Sequence, residues 1–154
     1  MRKCLSFVIA LITVFSLLAI PSAFAQDAPI TNEPQIIQYE DGSYLVISIE
    51  TSYARVAGVT KTKYATYHGK DGTSEWKMEL TGTFTYNGTT AICTASSCSV
   101  SIYDTDWYVI SKTATKSKNA AYATAVLGRK VLGVKVDEKT CSLTLTCDAN
   151  GNFS

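Results

Sequence analysis

The chain holds one histidine and three prolines in 154 residues, and its formal charge is +1 with histidine neutral. Each scarcity removes a class of function. Catalysis through an imidazole base has a single candidate, His68, and it falls in Tyr67-His68-Gly69-Lys70-Asp71-Gly72, a glycine-flanked stretch that reads as a solvated turn. No nucleic-acid partner is expected. Lys112, Lys116, Lys118, Arg129 and Lys130 are the densest cations, and they are broken up by Ser, Thr and Asn rather than massed on one face. Helical spacing is nearly absent beyond the first 25 residues, which excludes an all-helical or alternating α/β architecture.

Long apolar runs are also scarce, and the one present has an address-like form. Arg2 and Lys3 precede an almost uncharged run over residues 5–20, Pro21 breaks it, and Ala23-Phe24-Ala25 follows. These are the three parts of a secretory signal peptide, and the run stops short of the roughly 20 apolar residues of a membrane span. Cleavage after Ala25 is expected, with release outside the cell and no stable membrane anchor afterwards. Cys4 sits at the wrong end of the run to become a lipidated N-terminus. Removing the leader takes away two of 14 cations and no acid, leaving 129 residues at a net charge of −1, enough for one domain with one core. Residues 26–35, with Pro29 and Pro34, show no periodicity and read as a flexible lead-in to a single domain over 36–154.

What the domain has in abundance is alternation. Trp76, Met78, Leu80, Gly82, Phe84 and Tyr86 fall on one face of an extended run while Lys77, Glu79, Thr81, Thr83 and Thr85 fall on the other. Asn87-Gly88 follows, suited to a two-residue type I′ turn, so the chain is expected to return through residues 89–94. Cys141, Leu143, Leu145 and Cys147 share a second such face, with Asp137-Glu138-Lys139 as the turn before it. Weaker runs at 44–51, 59–67, 100–103, 107–112, 120–126 and 131–136, with turns at 41–42, 68–72 and 116–119, bring the total to eight or nine strands. Residues 52–57 fit either a strand or one turn of helix. The expected fold is all-β, an antiparallel two-sheet β-sandwich, immunoglobulin-like in general architecture and braced by disulfides.

The bracing rests on Cys93, Cys98, Cys141 and Cys147, an even set in an oxidising compartment. Their spacings do not match paired zinc knuckles, so neither metal nor cofactor is expected. Six residues along one strand put Cys141 and Cys147 about 20 Å apart, too far to bond to each other. Two pairings then use all four thiols. The nested one, Cys93 with Cys147 and Cys98 with Cys141, suits antiparallel segments and is favoured because antiparallel pairing is commoner. The parallel one, Cys93 with Cys141 and Cys98 with Cys147, stays open, as does a Cys93–Cys98 link with two thiols left over.

The stretches 76–88, Ala91-Ile92-Cys93-Thr94, Tyr103-Asp104-Thr105-Asp106-Trp107 and 143–152 together resemble a family of small secreted proteins of Gram-positive, largely clostridial bacteria with no assigned activity. The resemblance covers roughly the second half of the chain. It implies a Cys93–Cys147 pair and carries over no catalytic residue.

Three constellations bear on function. Asp104 and Asp106 could supply paired carboxylates to a hydrolase, although neighbours at that spacing before a strand are common turn formers. Asp148-Ala149-Asn150-Gly151-Asn152 copies the start of a calcium loop, then meets Phe153 where glycine is required, so an Asn-Gly turn is the reading. Trp76 and Trp107 take core parity, which leaves Tyr64, Tyr108 and Tyr122 as candidate ligand-binding residues. A secreted, non-enzymatic binding module for a glycan or protein ligand is expected, with a hydrolase or a secreted antagonist as the alternatives.

Overall fold

The computed structural model describes residues 33–52 and 58–154. The expected leader, residues 26–32 of the lead-in and residues 53–57 lie outside these. Eight strands and no helix are present among the described residues: β1 Gln35–Gln38, β2 Tyr44–Ser52, β3 Val59–His68, β4 Ser74–Tyr86, β5 Ala91–Ile102, β6 Trp107–Ser117, β7 Ala120–Val131 and β8 Val134–Thr146. They form two antiparallel sheets in the orders β1-β2-β3-β4-β5 and β6-β7-β8. Every neighbour in a sheet is also the neighbour in sequence. The connection is therefore a plain meander, without the interleaved strand order of the immunoglobulin-like sandwich expected.

The two inner faces meet because alternation supplies an apolar side to each. Trp76, Met78, Leu80 and Phe84 on β4 are fully buried, as are Leu127 on β7 and Leu145 on β8. Tyr67 and Trp76 stack at 5.0 Å between centroids, and Trp107 meets the pair edge-on at 5.4 and 6.2 Å. At the other end Phe84 meets Phe153 in a T-shaped contact at 5.3 Å. The three-stranded sheet answers these rings with small side chains, Ala121, Ala123 and Ala125, all buried. Gly82 faces them, and a Cβ there would stand 2.5 Å from the Phe84 ring and 3.1 Å from the Cβ of Ala121. The close approach of the sheets at this point needs a residue without a side chain.

Several expectations are corrected. Tyr86, assigned to the core face, is exposed at the strand end, where alternation outlasts the opposing sheet. Asn87 lacks the positive φ of a type I′ turn; only Gly88 has one, at 83°. The loop is four residues long, and the Asn87 side-chain oxygen accepts from the amides of Thr89 and Thr90 at 3.0 and 2.9 Å. The runs expected at 89–94 and 100–103 are the two ends of one strand, β5, which covers 91–102 and is bulged opposite Thr83 and Phe84. Asp137-Glu138-Lys139 is not a turn but lies within β8, opposite 127–129. The turn there is Leu132-Gly133, with φ of 51° and 80°. The lead-in also ends earlier than expected, since Gln35 already pairs with Ile47.

The chain changes sheets once among these strands, through residues 103–106. The amides of Tyr103 and Asp104 both donate to the Glu75 carbonyl, at 2.9 and 3.0 Å. The Trp107 indole donates to the Glu75 carboxylate at 2.6 Å, so one residue holds both sides of the corner.

Candidate functional site

The outer face of the five-stranded sheet is built from the polar half of each alternating strand. Thr60 and Thr62 on β3 meet Thr83 and Thr81 on β4 through hydroxyl contacts of 3.1 and 3.0 Å. Toward the corner these give way to a groove of about 490 Å³ lined by Ser48, Glu50, Tyr64, Thr66, Ser74, Lys77 and Tyr103. Register explains the grouping: Ser48 pairs with Tyr64 and Tyr64 with Glu79, while Thr66 pairs with Lys77 one step along.

The charged groups of the groove each have a partner. The Lys77 ammonium lies 3.9 Å from the Tyr64 ring centroid and 3.0 Å from Glu79, which also accepts from the Ser99 hydroxyl at 3.1 Å. Partial burial works against the Lys77 charge, and the Glu79 bond and charge outweigh it, raising its pKa. The Tyr64 phenol is also raised, by burial first and then by donating to Glu50. Lys77 takes one face of Tyr64, so Tyr103, 56% exposed, offers the freer ring. The arrangement presents two aromatic rings and a set of hydroxyls, with one ammonium, Lys77, beside two carboxylates, Glu50 and Glu79. Rings beside hydroxyls suit a polyhydroxylated ligand.

The three tyrosines singled out in the sequence do not converge. Tyr64 is in this groove, whereas Tyr108 and Tyr122 stand on the outer face of the other sheet, on β6 and β7. Tyr108 packs on Gly128, whose Cβ position lies 2.6 Å from the phenol ring, and the Lys130 ammonium sits 4.4 Å from its centroid. Tyr122, 39% exposed, lies between Thr115 and Thr144. Gly128 and Tyr122 are six residues apart on β7, so these two rings stand about 20 Å from each other. Tyr103 was missed because it falls at a sheet-switching corner, where strand parity no longer tells which way a side chain faces.

The residues considered for catalysis or metal are engaged structurally. His68 stacks on Tyr44 at 4.7 Å, and its Nδ1 lies 3.1 Å from the Gly72 carbonyl, which fixes a proton on that nitrogen. Nδ1 therefore cannot take a proton from the Ser74 hydroxyl at 3.3 Å. Asp104 accepts from the Asp106 amide at 2.9 Å, and the Arg129 guanidinium lies 4.0 and 3.8 Å from the two carboxylates. The Asp148 carboxylate is filled by its own loop, from the amides of Asn150 and Asn152 at 2.9 and 2.8 Å and the Asn152 side chain at 2.7 Å. Those bonds, the Asn152 side chain first, hold its pKa below the ordinary value. No group of three His, Cys, Asp or Glu among the described residues could hold a metal ion.

The four cysteines among the described residues, Cys93, Cys98, Cys141 and Cys147, are free thiols, so the bridges expected are not formed here. Their placement nevertheless separates the pairings. The Cys93 amide donates to the Lys118 carbonyl at 2.7 Å and the Cys147 amide to the neighbouring Asn119 carbonyl at 3.0 Å, so one tight turn holds both. Cys147 is pushed up to about 11 by burial, with Asp148 and then Cys93 adding to it. Cys141 is pushed up to about 12 by burial and then by Cys98. However, no Cα of β5 lies within 8 Å of one of β8. A disulfide spans about 7 Å between Cα atoms at most, so a Cys98–Cys141 bridge does not fit the packed sheets.

No protein-family model, curated protein or solved structure matches the chain. The class defined by fold and site is accordingly structural: an all-β domain of two antiparallel sheets with an aromatic, hydroxyl-lined groove on one outer face.

Proposed function

We propose that the mature domain is a secreted, non-enzymatic binding module that takes an extracellular glycan in the Tyr64–Tyr103 groove. The observation that carries the reading is the groove itself, two tyrosine rings among Ser48, Thr66 and Ser74 with the charges of Glu50 and Lys77 engaged by Tyr64 and Glu79. Aromatic faces supply apolar contact to a sugar ring while hydroxyls meet its rim. The groove is floored by the continuous β2–β3–β4 ladder, and a preformed floor limits the ordering cost of binding. Nothing in the setting of Asp104, Asp106 or His68 favours the hydrolase reading, since each is committed to a corner or turn.

On export, Cys93 and Cys147 join in a disulfide, and Cys98 and Cys141 stay reduced within the packed sheets. Joining a pair requires an oxidant of the exporting compartment to accept two electrons and two protons. A glycan array run beside glycosidase and protease screens tests the functional reading. Binding lost in Tyr103→Ala with no turnover supports it; turnover abolished by Asp104→Asn or Asp106→Asn overturns it.

A further inference from the structure

The β7–β8 hairpin runs past the end of its sheet. β6 begins opposite Arg129, and the Lys130 amide still donates to the Asp106 carbonyl at 2.8 Å; beyond Lys130 the hairpin pairs only with itself, Val131 with Val134. At its apex Leu132 adopts a φ of 51°, a conformation that L side chains rarely take and that Asn or Gly would fill without strain. The side chain held there is 100% exposed, and Val131, Val134 and Val136 around it are exposed as well. A strained turn that displays an aliphatic side chain breaks the local rule for soluble hairpins, which points to a function at the tip.

We propose that this tip, Leu132 flanked by Val131 and Val134, inserts reversibly into the surface of a lipid bilayer. The proposal goes beyond the groove and does not rest on it, because the tip belongs to the other sheet. Its chemistry favours lipid over protein. Protein hot spots draw on Trp, Tyr and Arg, with Leu and Val under-represented, and the tip has only aliphatic side chains. A two-stranded hairpin leaves its outer backbone groups unpaired, so only the apex side chains enter the acyl boundary and the strands stay at the headgroups.

Behind the tip stands the kind of belt a membrane interface favours: the Tyr108 ring on Gly128 with the Lys130 ammonium 4.4 Å above it. Leu132 lies four residues beyond Gly128, or about 13 Å at the strand rise, so the tip reaches the acyl boundary with Tyr108 at the headgroups. Lys135 is paired with Glu138, and Arg129 lies near Asp104 and Asp106. Insertion therefore depends on apolar contact more than on lipid charge, and it is a reversible contact rather than an anchor.

The test is co-sedimentation of the mature protein with phosphatidylcholine vesicles and with vesicles containing 30 mol% (~30%) phosphatidylglycerol, beside Leu132→Asn and Leu132→Trp. Wild type should bind both vesicles within a few-fold of each other. Leu132→Asn should keep its melting temperature, since Asn accepts the turn, and bind about ten- to a hundredfold more weakly. Because Trp76 and Trp107 are buried, the added indole of Leu132→Trp should report insertion as a blue shift on vesicle addition. Absence of binding, binding only to anionic vesicles, or binding unchanged in Leu132→Asn would overturn the proposal. So would a dimer of the wild type that Leu132→Asn converts to monomer, which would assign the tip to a second copy.

Discussion

Joining Cys93 to Cys147 should stabilise the domain by an amount set by the loop it closes. The bond closes a loop of 55 residues, counting both ends. On the chain-entropy relation this removes about 14 cal/mol/K from the unfolded ensemble, or about 4 kcal/mol at 25 °C. A domain of this size has about 5 to 15 kcal/mol in all, so the bridge is a large share. Native strain should be small, because Cys93 and Cys147 are already held by adjacent carbonyls of one turn. Urea unfolding of oxidised and reduced protein measures the difference, and an m-value near 2 kcal/mol/M converts it to a midpoint shift of about 2 M. Non-reducing peptide mapping identifies the bond. A shift below about 1 kcal/mol, or a Cys98–Cys141 link in the folded oxidised protein, would refute the reasoning.

Three further outcomes follow from the packing. Leu80→Ala, at a fully buried position on β4, should cost about 2–5 kcal/mol by denaturant unfolding, through lost burial and the cavity left behind. Trp107→Phe keeps one aromatic ring but deletes the pyrrole ring and its 2.6 Å bond to Glu75, so it should cost at least about 1.5–3 kcal/mol in the same assay. Cys141 sets a pH dependence: its folded-state pKa of about 12 lies above the ordinary value of 9.0. The unfolded thiol ionises first, so this contribution is fully present below pH 9 and is lost as pH rises toward 12. Unfolding free energy measured from pH 8 to about 10.5 should fall, and Cys141→Ala should flatten that fall.

The core was legible because strict alternation, as in Trp76 to Phe84, leaves only one face that can be buried. Where that signal lapses, so did the reading. Residues 94–99 of β5 are small and mostly polar, so nothing in them marks a continuous strand, and β5 read as two pieces. Leu132 is not a turn former, so the β7–β8 turn was assigned five residues late, to charged residues that in fact lie within β8. The cysteine faces were readable, but the separation of β5 from β8 depends on how five strands lie over three, which no local pattern encodes. Tyr64 was found through its outward parity. Its partners Glu50, Lys77 and Tyr103 come from other strands and a corner, brought together only by register.

The most direct test of the binding reading is titration calorimetry of the mature oxidised protein against the best glycan from the array, comparing wild type with Tyr64→Ala, Tyr103→Ala and Tyr122→Ala. Loss of either groove tyrosine should weaken binding about tenfold or more, with Tyr122→Ala unchanged on the opposite face. Wild-type affinity in both groove variants, or affinity lost in Tyr122→Ala alone, would contradict the account.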